Sequence, residues 1–510
     1  MTIKSAADLV SGVTLRPDVL SVGSGSGGAV LAARLSAEGA KVVVLEEGGH
    51  YTRANFNMRE DWAYPHLYQD RGQRATADLG FTILQGRSVG GGTTVNWTTS
   101  FRTPDSVLEH WARVHRIEGL SKAALTPHWE SVEERLGIHH VDATEVNRNN
   151  GALWDGLGKL GWHRDTTRRN VRGCMKSGYC GMGCPVDAKQ SMLITYIPDA
   201  IEKGAEFWAN ARVTTLDVEG GRVVRARALA LGKDTDQPTG VELVVEPKLC
   251  VLSGGAINTP ALLLRSKLNA NGRVGMRTFI HPVVATFADF PEPIEAFYGA
   301  PQSVYSHQFY ERGPGKLGFF LEVPPIHPML ASTALAGRGE AHRRVMERLP
   351  YAQSNIALAI DGFLPGDVGG RVTLKAGGFP KVEYPYTEPL REVFRESMKA
   401  CARLQFAAGA KTVTTLHSTP LLLRSEQDLA LIDAAPLGPG FVTAFTAHQM
   451  GGCAMGADPK SSVVRSDFRH HELENLFVVD GSVLPTSLGV NPQETIFGLA
   501  SLAATHVLKA

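Results

Sequence analysis

The 510-residue chain reads as an α/β protein in which a nucleotide-binding domain is assembled from separated stretches and a second, substrate-side domain fills the gaps between them. Three observations predict this. A glycine loop sits between a buried strand and an alanine-rich helix at the N-terminus. A second glycine-rich segment follows at residues 86–97, and Asp480-Gly481 and Asn491-Pro492 place ligand-facing chemistry close to the C-terminus. Between them, residues 370–408 alternate like paired strands and then turn amphipathic with helical spacing.

The N-terminal unit is the most specific. Val19 to Val22 is a short apolar run, and Ala29 to Leu35 is rich in alanine and leucine at helical spacing. The loop between them is G-x-G-x-x-G. Gly23 permits the tight turn, Gly25 lets the backbone approach a pyrophosphate, and Gly28 allows close packing of helix on strand, with the phosphates at the positive end of the helix. A second strand, Lys41 to Leu45, ends in Glu46, at the spacing that lets a carboxylate accept a hydrogen bond from an adenosine ribose hydroxyl. The run Gly86-Arg87-Ser88-Val89-Gly90-Gly91-Gly92-Thr93-Thr94-Val95-Asn96-Trp97 is suited to laying backbone amides along a large, flat, anionic ligand. A nicotinamide enzyme needs only the first loop and leaves this run and the C-terminal motifs without a role.

Cofactor-type elements thus occupy residues 1–115, 190–285 and 440–510, and residues 116–189 and 286–439 form the substrate side. Gly370 to Leu374 and Pro380 to Tyr384 read as paired strands, followed by an amphipathic helix from about Glu388 to Ala408. No Pro-, Ser- or Gly-rich linker, internal repeat or low-complexity tract divides the chain.

Together the GxGxxG loop with Glu46, the GRSVGGGTTVN segment, the turn Val251 to Pro260 and the terminal HQMGGCAMG…NLFVVDGSVLPTSLGVNPQETIFGLA, in this order, resemble the glucose-methanol-choline (GMC) flavoprotein oxidoreductases over nearly the whole chain. The resemblance is nearer to the cholesterol oxidase and long-chain alcohol oxidase type. It implies a Rossmann-like FAD-binding domain and a substrate domain built on an antiparallel sheet flanked by helices, the sheet roofing the flavin. It also implies that Gly23, Gly25, Gly28 and Glu46 bind the ADP half of FAD, that Gly90, Gly91, Thr93 and Asn96 run beside the pyrophosphate and flavin, that Asp480 and Gly481 hold the ribityl or pyrophosphate region, and that Asn491 and Pro492 sit at the flavin edge. His448 and Asn491 resemble the family's His/Asn catalytic pair. No histidine lies between Gly86 and Trp97, so the FAD is expected to be non-covalent.

The chemistry gives those two residues distinct tasks. Oxidising an alcohol removes the hydroxyl proton and transfers a hydride from carbon, and an imidazole is suited to taking that proton. His448 is therefore the candidate base. Asn491 does not titrate, but its amide can orient the substrate oxygen.

Charge and length exclude other classes. With 52 basic and 51 acidic residues there is no net field to draw the chain to nucleic acid or an anionic membrane. The first residues lack a signal peptide's charged start and apolar core, and no apolar run is long enough to span a bilayer, so the expected location is cytoplasmic, with peripheral membrane contact left open. Nothing sets the oligomeric state.

Six cysteines are present, three of them clustered at Cys174, Cys180 and Cys184. Similar stretches occur in long-chain alcohol oxidases and in family sugar dehydrogenases that carry a three-iron cluster. Thiolates there could ligate iron, but the spacing is not that of the stronger cluster signatures, and the expectation is a loop of reduced thiols without metal. Cys250, Cys401 and Cys453 read as small buried apolar residues. The expected substrate is a lipophilic, aromatic or cyclic alcohol, with Trp62, Tyr64, Trp97, Phe319 and Phe320 as pocket candidates and molecular oxygen or another acceptor taking the electrons. The alternatives are an iron-sulfur sugar dehydrogenase with an electron-transfer partner, and a non-catalytic flavin binder.

Overall fold

The computed structural model describes residues 2–233, 235–335 and 337–510. Its nucleotide side is a six-stranded parallel sheet ordered Lys4–Ser5, Glu206–Ala209, Val42–Leu45, Val19–Val22, Leu249–Leu252, Leu476–Val478. The last four strands of this order are short, mostly apolar runs, the pattern of strands covered on both faces. The order is decisive for function. Leu252 lies opposite both Val22 and Val478, so these strands end level, and the segments that follow them share one rim of the sheet.

Two helices close the sheet's face. Ser26–Ala37 packs against the C-terminal helix Gln493–Val507, and their contact surface is built from small and medium apolar residues. Gly27 instead packs on the end of the strand Leu476–Val478: a Cβ there would lie 1.8 Å from the carbonyl oxygen of Val479.

A second, nine-stranded sheet is largely antiparallel. Its main path runs Leu422–Leu423, Thr412–Thr415, Val283–Asp289, Ala352–Ile360, Gly318–Glu322, Val304–Ser306, Asp165–Thr166, with Ala444–Thr446 and Phe81–Ile83 attached beside Val283. The helix Glu388–Ala408 covers one face. It begins as expected from sequence, with Thr387 accepting a hydrogen bond from the Leu390 amide, and stops at Gly409 in a left-handed conformation. Gln405 on that helix bonds Gln353 and Thr286, which fixes the helix-facing residues of the two central strands. Their alternates, Val283, Ile356 and Leu358, point the other way and roof a large cavity.

Two details depart from the sequence reading. The hairpin of Gly370–Leu374 and Pro380–Glu383 forms as expected, but it belongs to a separate four-stranded sheet with Met276–Phe279 and Met450–Gly451. It is held there because Val372 and Val382 pack on Ile257 and Ala261 of the helix Gly255–Arg265. The strand Val283–Asp289 also runs through the expected boundary at 285, because it is a central member of the roofing sheet.

Gly27→Ala should therefore destabilise the fold by about 1–3 kcal/mol, the usual cost of overpacking a closed interior contact. Thermal unfolding of the purified variant checks this; an unchanged Tm would mean that the helix and the Val479 carbonyl are not in contact.

Candidate active site

One cavity of about 510 Å³ runs along the rim of the parallel sheet and under the second sheet. Its first end is lined by Glu46, Glu47 and the backbone from Ala211 to Thr214. Gly23, Gly25 and Gly27, Gly254 and Gly255, and Asp480 and Gly481 line its middle. Trp97 to Thr99, His448, Asn491 and Pro492 line the far end, beneath Val283, Gln302, Ile356, Leu358 and Phe445.

The middle is built for an anion. The helices Ser26–Ala37 and Gly255–Arg265 both start there; the first offers its N-terminal amides and dipole to phosphate, while the Gly254 and Gly255 amides of the second are taken by Thr259 and Asp480. A Cβ added at Gly25 would meet nothing nearer than the Cα of Gly91 at 3.8 Å, so this glycine keeps a cavity wall open rather than an interior contact. Asp480 ties its own turn to the start of the helix Gly255–Arg265: one oxygen accepts from the Gly255 amide at 2.8 Å and the Thr259 hydroxyl at 2.6 Å, the other from the Ser482 amide at 2.7 Å. Burial raises its pKa, and these hydrogen bonds pull against that shift.

Glu46 sits at the cavity, but it also anchors the glycine loop. Its carboxylate accepts from the Ser24 amide and hydroxyl at 3.0 and 2.7 Å and from the Gly48 amide at 2.8 Å. The oxygen bonded to Gly48 has a further lone pair to offer a ribose, while the other is filled by the two Ser24 donors. Glu47 beside it went unrecognised in the sequence. Burial works against its charge, yet Arg212 and Arg87 hold its pKa down at about 2.

Three residues expected at the cofactor lie behind the wall instead. Gly28 faces the Gly23 carbonyl, where its absent Cβ makes room for the turn. Gly90 gives its amide to Ser24 Oγ at 3.0 Å, and Thr93 spends its hydroxyl on the Gly90 carbonyl and the Met192 amide. Their role is to shape the loop that carries Gly91 and Asn96, both of which do line the cavity. Asn96 is fixed by a 2.6 Å bond from its amide nitrogen to Gln493.

At the far end His448 and Asn491 meet: Nε2 of the imidazole lies 3.3 Å from Nδ2 of the amide. Thr446 Oγ1 accepts from the His448 backbone amide at 3.0 Å, and loss of solvent pushes the ring's pKa down to about 4. On its other side, His448 Nδ1 lies 3.2 Å from Nδ1 of His281. The remaining His281 nitrogen, Nε2, accepts from the amides of Leu488 and Gly489 at 3.2 and 2.9 Å.

Behind Asn491 stands Glu322, fully buried, with Oε2 accepting from Gln302 at 2.6 Å and from Asn491 at 3.4 Å. Burial raises its pKa to about 8, so it is largely protonated at neutrality. His281, Gln302 and Glu322 had no local sequence signal. Glu322 is brought in by strand register, lying opposite Ile356, while His281 and Gln302 come from the segments just before the strands that begin at Val283 and Val304.

Of the aromatic candidates, Trp97 lines the cavity. Trp62 stacks on His66 and Tyr64 packs on Tyr68, while Phe319 stacks on Phe309 in the interior and Phe320 packs against His281. Cys174, Cys180 and Cys184 line a separate cavity of about 20 Å³ beside Lys189. Among the described residues no group of three or more His, Cys, Asp or Glu side chains is placed to hold a metal ion. Cys250, Cys401 and Cys453 are buried.

Residues 64–283 and 365–500 match the two family models described as GMC oxidoreductase. The chain is 30% identical to the long-chain-alcohol oxidase FAO4A of Arabidopsis thaliana over 96% of its own length and 68% of that protein, so it spans about two thirds of this relative. Among solved structures, a pyridoxine 4-oxidase from Mesorbium loti superposes with a TM-score of 0.71 at 20% identity, covering 97% of this chain and 99% of that one. A formate oxidase superposes with a TM-score of 0.71 at 13% identity, covering 98% and 99%.

Gly25→Ala should lower FAD affinity at least about tenfold, because a methyl group enters the space of closest backbone approach. The stability of the FAD-free protein should stay within about 0.5 kcal/mol, as for a substitution that meets no neighbour. Flavin titration and thermal unfolding separate the two effects; undiminished FAD binding would place the pyrophosphate elsewhere.

Proposed function

The chain belongs to the GMC oxidoreductase family, and from that premise we propose that it oxidises a lipophilic, aromatic or cyclic alcohol to the aldehyde or ketone, with the hydroxyl oxygen held between His448 and Asn491. The observation that carries this reading is the convergence of His448 Nε2 and Asn491 Nδ2 on one point of the cavity wall. A neutral imidazole and an amide at that spacing can both bond one substrate oxygen and leave its carbinol carbon unencumbered.

The protein binds FAD, as GMC oxidoreductases do, and the bound flavin supplies the acceptor for the carbinol hydride. The residues present fit it: open glycine backbone at a helix N-terminus in the middle, acidic groups at one end, and the His/Asn pair at the other. Non-covalent attachment is our reading, supported by the lack of histidine in residues 86–97. Asn491 orients the oxygen. His448 remains neutral well above pH 4 and is therefore in one charge state across the physiological range.

The roof supports the substrate class. Val283, Ile356, Leu358 and Phe445 offer apolar surface, with Gln302 as the polar group among them. A sugar, with a hydroxyl on nearly every carbon, would leave most of its hydrogen bonds unmade there. A silent flavin binder would have no use for the two convergent polar groups. We take molecular oxygen as the final acceptor, which the likeness to an alcohol oxidase supports.

The purified protein should show a flavin spectrum that bleaches anaerobically with aliphatic, aromatic or cyclic alcohols. His448→Ala should keep FAD and lose turnover by on the order of a hundredfold or more, the scale for losing a group that acts on the reacting oxygen. A flavin spectrum that no alcohol changes, or near-full activity in the variant, would overturn the proposal.

A further inference from the structure

His281 is fully buried, lies outside every motif that points to FAD, and is wedged directly behind the His/Asn pair. Its backbone is in the left-handed region, at φ 41, unusual for a residue with a side chain. Asp361 holds it there, accepting from the Ile280 and His281 amides at 3.1 and 3.2 Å, and Tyr384 in turn donates to Asp361 at 2.5 Å. The ring is thus clamped from its backbone, from the Leu488 and Gly489 amides, and from the face of Phe320.

We propose that His281 is a positioning residue that fixes the tautomer of His448, so that the neutral ring keeps its proton on Nε2 and meets the substrate oxygen as a hydrogen-bond donor. The proposal rests on the reading above and assigns His448 a different task from the proton acceptor expected in the sequence. Two backbone N–H groups point at His281 Nε2, so that nitrogen must be the unprotonated acceptor, and the neutral ring carries its proton on Nδ1. That N–H faces His448 Nδ1 at 3.2 Å, which must then accept. The one proton of neutral His448 is left on Nε2. The opposite arrangement would need both rings to change tautomer and would leave the Leu488 and Gly489 amides, both buried, aimed at another N–H.

With a proton on Nε2, His448 and the Nδ2 of Asn491 are two donors 3.3 Å apart that cannot bond each other. An oxygen between them accepts from both, and the pair gains strength as negative charge builds on that oxygen. The hydroxyl proton then passes to water, the acceptor this scheme names, as the hydride leaves the carbon. The titratable groups packed around the two rings are Glu322, behind Asn491, and Asp361, bonded to the His281 backbone; neither bonds an imidazole nitrogen.

The test is nitrogen NMR of the FAD-loaded protein labelled with ¹⁵N at histidine, with His448 assigned by its loss in His448→Gln. The expected result at pH 7 is an unprotonated Nδ1 and a protonated Nε2 on His448; the reverse overturns the proposal. Because this readout needs no turnover, a protein that no alcohol reduces would sink the alcohol reading and leave the tautomer assignment standing. Kinetics give a second line: glutamine at 448 retains an N–H and should keep on the order of tenfold more kcat than alanine, whereas equal losses would overturn the donor role. His281→Phe, which keeps a ring against Phe320, should lower kcat on the order of tenfold with little change in KM and release His448 into both tautomers. An unchanged kcat in that variant would likewise overturn it.

Discussion

The whole site depends on one strand pairing: Leu476–Val478 lying parallel to Leu249–Leu252, which itself lies parallel to Val19–Val22. Because the register sets Val22, Leu252 and Val478 level, the glycine loop, the Gly254-Gly255 turn and Asp480-Gly481 emerge at one rim, though more than 200 residues separate each from the next in the chain. A parallel neighbour cannot be reached by a tight turn, so this arrangement requires long crossovers. The substrate-side segments are those crossovers grown into a layer of their own. Asp480 locks the arrangement, and its burial is tolerable only because three donors reach it, two from the start of the helix Gly255–Arg265 and one from its own turn.

The second layer turns that rim into an enclosed site. Its central strands are two-sided in a useful sense: Thr286 and Gln353 turn polar groups toward Gln405 on the covering helix, while Val283, Ile356 and Leu358 turn apolar groups to the cavity. The Gln405 and Gln353 amides bond one another on the helix side, while the cavity side is apolar apart from Gln302. Polarity under this roof is therefore concentrated near Gln302 and the His448/Asn491 pair.

What was legible in the sequence is what depends on local spacing. The glycine loop, its strand and helix, the amphipathic helix ending at Ala408 and the hairpin before it all form where their residues indicate, because turn geometry and helical periodicity are set within a few positions. The placement of the hairpin was not legible, since Val372 and Val382 would suit either sheet and only Ile257 and Ala261 decide between them. For the same reason Gly90 and Thr93 carry the motif's signature while standing one layer back. A glycine-rich run marks where backbone comes close to something, and it does not say whether that is ligand or a neighbouring loop. Glu322, Gln302 and His281 were invisible because their meaning lies in which residue faces them across a sheet or a turn.

His281 shows how much of the chemistry is decided at that invisible level. A residue with a side chain held near φ 41 costs on the order of 1–2 kcal/mol relative to an ordinary conformation, and glycine would avoid the cost. The fold nevertheless keeps an imidazole there and surrounds it with Asp361, Tyr384 and the Leu488-Gly489 backbone. Packing alone would not require this, since a phenyl ring fills nearly the same volume against Phe320 without any hydrogen bonds to satisfy. What an imidazole adds is a directional chain of hydrogen bonds that begins at the two Leu488-Gly489 amides and ends at the His448 nitrogen beside Asn491. Backbone amides cannot titrate or turn over, so a tautomer referred to them is as fixed as the fold itself.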